Sequence, residues 1–181
     1  MELLKISKIN NLSAFVMSTW DLKYTDEYGY HNLRRFICEH GMSEFVQVMQ
    51  QEVQSSSTEY GYVLHDYLGK IYSFTYCTMT KDLATNEKEL YIQYIGTHPE
   101  RQGMGYASKL LTKLFANPEK YVGDRPEVVR ALIDKENPNC FKMFRKFADF
   151  RDEEDIIDMK LVTMDYNQIM ENINNDKESS R

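Results

Sequence analysis

Hydrophobic and polar residues alternate in several short stretches of the chain, and each such stretch predicts a β-strand. Alternating or β-branched runs occupy residues 3–9, 60–65, 70–78, 89–95, 128–133, 150–157 and 158–164. Residues 66–69, which end in Gly69, separate the second and third runs and predict a hairpin. The last two runs follow each other directly and predict a closing antiparallel pair.

Apolar residues at helical spacing predict helices between and beside these strands. Such stripes begin at Leu12, Leu33, Phe45 and Ala107. A shorter helix is predicted with Asn137 as its cap and Pro138 at its first helical position. Residues 165–173 predict a last helix, and residues 174–181 predict a disordered tail. This order of elements predicts a mixed α/β fold around one sheet, in a single domain of residues 1–173.

Composition and length fit one globular domain without a membrane span. The 181 residues are 42% hydrophobic and 28% charged, and no apolar run approaches the roughly 18 residues that a membrane helix needs. Residues 1–16 lack the apolar core of a signal peptide. Cys38, Cys77 and Cys140 are odd in number and scattered, which favours a reducing compartment. We therefore expect a cytoplasmic protein.

The formal net charge of −6 bears on the class of partner. Because no lysine- or arginine-rich run is present, we expect neither nucleic acid nor a membrane as a partner. The cysteines and histidines lack the spacing of metal ligands, so we expect no metal. The acidic balance has two explanations that stay open, which are solubility and attraction of a cationic substrate.

The loop at residues 102–107 joins a predicted strand to a predicted helix and reads Gln-Gly-Met-Gly-Tyr-Ala. Small residues at 103, 105 and 107 let the backbone approach a ligand, and the start of the helix offers unpaired N–H groups. This arrangement predicts a site for a phosphate or pyrophosphate. A dinucleotide fingerprint does not fit, because Ser108 or Lys109 stands where a third glycine belongs, and no Gly-Lys-Ser/Thr follows for a P-loop. An ordinary strand–turn–helix remains the alternative.

The same loop resembles the acyl-CoA signature of the GNAT superfamily of N-acetyltransferases. In that signature an x-Pro turn precedes Gln/Arg-x-x-Gly-x-Gly/Ala and a helix. The turn corresponds here to Thr97-His98-Pro99, and the three signature positions correspond to Gln102, Gly105 and Ala107. The resemblance implies a single-domain α/β fold with a mixed, mostly antiparallel central sheet flanked by helices. It also implies acetyl-CoA as the acyl donor.

A second GNAT motif, Asn-x-x-Ala-x-x-Leu-Tyr-x-Lys-x-Gly-Phe, resembles residues 137–149. Asn137 and Lys146 match it, and Cys140, Met143 and Ala148 are near equivalents. In the family, the asparagine contacts the pantetheine arm, while capping its own helix is a second role that Asn137 can combine with it. The resemblance implies a cofactor-binding set of Ile95, Gly96, Thr97, Gln102, Gly103, Met104, Gly105, Tyr106, Ala107, Ser108, Asn137, Cys140 and Phe144.

Phe144 departs from the family pattern. Many relatives have a tyrosine there whose hydroxyl protonates the departing sulfur, and a phenyl ring has no such proton. Because a thiol has a pKa of about 8.5, the thiolate can leave largely unassisted. Two further outcomes stay open, namely an acid from elsewhere, with Cys140 one turn away, and loss of activity.

The general base is also open. Relatives place a base on the strand beside the thioester, at positions that correspond to Tyr91 and Gln93. Neither is a base at neutral pH, but both are able to hold a water chain. Glu89 precedes Tyr91 by two residues, lies on the same face of the strand and is our candidate base, ahead of His98. An exposed carboxylate without a role is the alternative for Glu89. The predicted catalytic set is Glu89, Tyr91 and Gln93.

The resemblance implies an N-acetyltransferase in which a primary amine attacks acetyl-CoA directly. Backbone N–H groups of residues 95–97 would polarise the carbonyl oxygen. Aromatic and acidic residues of segment 20–30, among them Trp20, Asp21 and Asp26, suit a small cationic amine as acceptor. Two other functions stay open, namely a non-catalytic CoA-binding sensor or scaffold and a protein or peptide N-acetyltransferase. We expect a monomer or a homodimer.

Overall fold

The structure is a computed structural model and describes residues 1–10, 12–19 and 42–179. Within these ranges the strands are β1 (Glu2–Lys5), β2 (Glu59–His65), β3 (Ile71–Lys81), β4 (Lys88–Thr97), β5 (Val128–Asp134), β6 (Asp152–Ile156) and β7 (Met159–Asp165). The α-helices are α1 (Leu12–Thr19), α2 (Met42–Ser55), α3 (Tyr106–Phe115), α4 (Pro118–Val122), α5 (Pro138–Phe144) and α6 (Tyr166–Ser179). Short 3-10 turns occupy Ile6–Lys8 and Pro99–Arg101.

All seven strands form one sheet in the order β1-β2-β3-β4-β5-β7-β6. Only the β4–β5 pair is parallel, and the other five pairs are antiparallel. This confirms the predicted mixed, mostly antiparallel sheet. The parallel pair forms because α3 and α4 lie between β4 and β5 and return the chain to the same edge.

Two hydrophobic cores cover the two faces of the sheet. On one face, which we call the α3 face, helix α3 contributes the fully buried Leu110 and Leu114, and the larger cluster includes residues of α5 and α6. On the other, which we call the α2 face, α1 and α2 contribute Val16 and Met49 to a smaller cluster. Because the two clusters lie on opposite faces, a ligand held by the start of α3 and a ligand held against α2 approach the sheet from opposite sides.

The elements differ from the prediction in three places. Strand β1 ends at Lys5 because the next residues turn and bury Ile6, and the predicted loop after α3 contains the short helix α4. The last helix continues past Ile173 to Ser179, so residues 174–179 are helical rather than a disordered tail. Their side chains are exposed, and each residue adds a backbone hydrogen bond to a helix that is already anchored. The predicted helix beginning at Leu33 lies outside the described residues.

Helices in the described part of the chain are all too short or too polar to cross a lipid bilayer.

Candidate active site

The central feature of the sheet is a gap between β4 and β5. These strands pair only over Glu89–Ile92 and Val128–Ala131, although β4 continues to Thr97 and β5 to Asp134. Beyond Ile92 and Ala131 the two strands share no ladder, and we call this opening the splay. A strand edge without a neighbouring strand offers its N–H and C=O groups to a ligand.

A β-bulge marks the start of the splay. Tyr76 of β3 pairs with Tyr94, and Cys77 pairs with Ile92, so Gln93 is an extra residue in β4. As a result Ile92 packs in the α3-face core while Tyr94 packs against the α2-face core. Strict alternation along this strand, on which the sequence prediction rests, gives no sign of the bulge.

The predicted cofactor loop has the backbone geometry that its glycines allow. Gly103 and Gly105 have φ of 74° and 79°, a left-handed conformation that favours glycine. A Cβ atom at either position would meet no protein atom within 4 Å, so the space above both is open. Helix α3 begins directly after Gly105 and has no side-chain cap, which leaves the N–H groups of its first turn for a ligand.

Arg101 joins this loop, although neither sequence motif includes it. Its Nε atom is buried and has no hydrogen-bond partner among the described residues. Its guanidinium carbon lies 5.8 Å from the centre of the Tyr72 ring, which in turn lies 4.7 Å from the Tyr106 ring. A buried N–H without an acceptor is unfavourable, and a phosphate oxygen would satisfy it. The residues of the loop therefore fit the pyrophosphate of coenzyme A.

Asn137 caps helix α5 as predicted, because its Oδ1 accepts the backbone N–H of Cys140 at 3.1 Å. The cap does not use its Nδ2 group, which is the donor for the predicted contact with the cofactor. Burial raises the pKa of the Cys140 thiol to about 12. The thiol therefore stays protonated at neutral pH, and its service as an acid in place of the tyrosine stays a prediction.

Phe144 lies in the α3-face core and is 1% exposed. Its predicted contact with the cofactor stays a prediction, and the structure shows a packing role for the ring.

The described residues contain no group of three or more side chains that could together hold a metal ion.

Glu89 lies in an ion pair at the paired end of β4 and β5. It forms an ion pair with Arg130 at 2.7 Å, and Arg130 also binds Asp82 at 2.9 Å. Burial raises the pKa of Glu89, although Arg130 opposes this shift. Six positions, about 20 Å along a strand, separate it from Ile95, so it does not contact that end of β4 directly, and its role as a base stays a prediction. Its role is to link β4 and β5 at their paired end.

Tyr91 and Gln93 lie on the α2 face. Burial and then Glu89 raise the pKa of Tyr91, which therefore stays a neutral phenol. Gln93 Nε2 donates to Thr78 Oγ1 and, at 3.2 Å, to Glu59 Oε2. The Thr78 hydroxyl donates to both Glu59 oxygens at 2.8 and 2.9 Å.

A second carboxylate lies beside these residues. The Tyr76 hydroxyl donates to Glu52 Oε2 of α2, and burial, Glu52 and Glu59 all raise the pKa of Tyr76. We call Glu52, Glu59, Tyr76, Thr78 and Gln93 the polar cluster. Sequence patterns do not reveal it, because strand pairing brings together residues that lie far apart along the chain. The aromatic and acidic segment 20–30, where the sequence predicted the acceptor entrance, lies outside the described residues.

The sequence matches the model of the acetyltransferase (GNAT) family over residues 22–150, more than half of the chain. The chain belongs to the GNAT acetyltransferases. It is therefore an enzyme that takes an acetyl group from acetyl-CoA and transfers it to an amine. Among curated proteins, none matches this acetyltransferase significantly.

Solved structures of N-acetyltransferases have the same fold as this GNAT protein. The PaiA N-acetyltransferase from Thermoplasma acidophilum, in complex with coenzyme A, matches with a TM-score of 0.68 at 15% identity. The match covers 92% of this chain and 100% of that one. A chimera of the spermidine N-acetyltransferase SpeG from Vibrio cholerae and hSSAT matches with a TM-score of 0.62 at 14% identity, over 94% and 99% of the two chains.

Proposed function

We propose that this acetyltransferase acetylates the primary amine of a small cationic molecule. The observation that carries the proposal is the position of Glu52 and Glu59. Both carboxylates lie on the α2 face, where Glu59 accepts from Gln93 and Glu52 accepts from Tyr76, opposite the face on which α3 and the cofactor loop lie. Donor and acceptor would then meet in the splay from opposite sides, and the Glu52 carboxylate would attract an ammonium group.

Acetyl-CoA, when bound, supplies the thioester whose carbonyl carbon the amine attacks. Arg101 and the first-turn N–H groups of α3 would hold its pyrophosphate, and Asn137 Nδ2 would donate to its pantetheine arm. N–H groups of residues 95–97 on the splay side of β4 would stabilise the negative charge that develops on the carbonyl oxygen.

The amine must lose a proton to expose its lone pair before it attacks. Tyr91 and Gln93 would hold water that carries this proton to solvent. The new C–N bond then replaces the C–S bond, the attacking nitrogen releases a second proton to solvent as the amide forms, and the thiolate leaves and takes a proton from solvent. Solvent is the proposed proton source because Phe144 has no hydroxyl and a thiolate whose thiol has a pKa of about 8.5 leaves largely unassisted.

An assay of thiol release from acetyl-CoA tests this function directly. The acceptor panel should contain diamines and polyamines, because several similar structures are of proteins named spermidine N-acetyltransferases. It should also contain monoamines, amino acids, and peptides with a free N-terminus or a lysine. We expect small amines with two or more positive charges to have the highest kcat/KM.

Glu52→Gln gives a matched test of the charge attraction, with Glu44→Gln on the same helix as control. Glu44 is exposed and lies outside the polar cluster. We expect Glu52→Gln to raise KM for a dicationic amine several-fold and to leave KM for acetyl-CoA unchanged. Tight binding of CoA without thiol release for any amine would favour the sensor or scaffold instead. A preference for peptides would favour a protein acetyltransferase.

A further inference from the structure

The hydrogen bonds of the polar cluster have a fixed direction. Both Glu59 oxygens act as acceptors, for the Thr78 hydroxyl and the Gln93 amide. The Thr78 hydroxyl proton therefore points to Glu59, and the Thr78 oxygen accepts from Gln93. If the Gln93 amide were rotated by 180°, its Oε1 would face Glu59 Oε2 at about the same distance, oxygen against oxygen. Glu59 thus selects one of the two amide orientations.

In this orientation Gln93 Oε1 is an acceptor that the polar cluster does not use. Gln93 is exposed, and its Oε1 has no hydrogen-bond partner among the described residues. As the bulged residue, it is also the first residue of β4 beyond the last pair with β5. Its side chain lies on the α2 face, two residues after Tyr91, and the proposed function brings the amine from that face.

We propose that Gln93 Oε1 orients the acceptor amine and that Glu59 is the positioning residue that holds Gln93 for this task. The inference rests on the proposed function. One N–H of the amine donates to Gln93 Oε1, which leaves the nitrogen lone pair directed at the splay. Gln93 takes no proton in this step, so it aligns the attack and is not a base.

Glu59 would act through Gln93, and a double-mutant cycle tests that link. Glu59→Gln replaces an obligatory acceptor with a group that also donates, so the Gln93 amide is no longer confined to one orientation. Gln93→Leu removes the acceptor itself. We expect each variant to raise KM for the amine roughly tenfold, with KM for acetyl-CoA unchanged. The double variant should behave like Gln93→Leu alone.

The same cycle should be run with a cationic amine and with an acceptor that is neutral at the assay pH. If Glu59 works by charge attraction to the amine, its effect disappears with the neutral acceptor and adds to that of Gln93→Leu. If it works through Gln93, the effect persists with both acceptors and is not additive. Additive effects that depend on the acceptor's charge overturn the inference.

Thermal melts of all variants, with Glu44→Gln as control, verify that folding is preserved. Calorimetry of amine binding to the CoA-bound protein repeats the cycle without turnover. A wild-type protein that neither binds nor acetylates any amine overturns the proposed function together with this inference. A wild-type protein that acetylates amines, with Glu59→Gln unchanged in KM, overturns this inference alone.

Discussion

Arg101 is the residue at which the structure adds most to the cofactor site, since its buried Nε has no acceptor in the described part of the chain. We expect Arg101→Gln to raise Kd for coenzyme A on the order of tenfold, because a charge-assisted contact to phosphate is lost. Calorimetric titration of each variant with coenzyme A measures this Kd. Arg101→Lys should recover only part of the affinity, since an ammonium lacks the planar fork. Pantetheine, which has no pyrophosphate, should bind wild type and variant equally; a loss there would contradict the assignment.

Phe144 gives a second prediction at a single residue, because its ring is 1% exposed in the core. We expect Phe144→Tyr to lower the free energy of unfolding of the cofactor-free protein by about 1–3 kcal/mol, since the new hydroxyl is buried without a partner. Urea denaturation measures the change. Phe141→Tyr on the same helix is the control, because Phe141 is partly exposed and its added hydroxyl can reach water. Equal stability of wild type and Phe144→Tyr would contradict this prediction and would mean that the edge of the ring faces open space.

The loop before α3 allows a prediction about an element, with a matched control elsewhere in the chain. Gly105 and Gly69 both have φ of 79°, and a Cβ at either would meet no atom within 4 Å. Alanine at either position should therefore lower the free energy of unfolding by about 1–2 kcal/mol through backbone strain alone. Only Gly105→Ala should also weaken binding of coenzyme A in calorimetry. If the two variants bound coenzyme A with equal affinity, the assignment of this loop to the cofactor site would be contradicted.

The strand β4 shows how far the sequence can predict this site. Spacing and residue type identified the strand, the loop 102–107 and the cap at Asn137, because each depends on neighbours in sequence. The bulge at Gln93 leaves no mark in the alternation, since it depends on the register with β3. Glu59 meets Gln93 only after β2, β3 and β4 have paired. The ion pair of Glu89 was equally hidden from the sequence, because its partner Arg130 comes from β5.

Ion pairs between distant elements make the stability of the whole fold depend on pH. Arg151 binds both oxygens of Glu87 at 2.9 Å across 64 residues, which joins the segment before β6 to the segment before β4. Arg151 holds the pKa of Glu87 below its ordinary value, and Lys160 does the same for the pKa of Glu153. The pKa of Asp82 is also shifted down, first by the Thr85 N–H and then by Arg130.

A carboxyl group whose pKa is lower in the folded state stabilises the fold above its unfolded pKa. That contribution is lost as the pH falls through the folded value. Since unfolded Asp and Glu titrate near 3.9 and 4.3, we expect the urea midpoint to fall as pH drops from about 4.5 towards 2. Glu87→Gln should make this fall shallower, because one of the shifted groups no longer titrates. Glu154→Gln on β6 removes an exposed carboxylate for which no ion pair is described, and it should leave the slope as in wild type. Parallel curves for wild type and Glu87→Gln would mean that the Arg151–Glu87 pair does not contribute to the acid sensitivity of the fold.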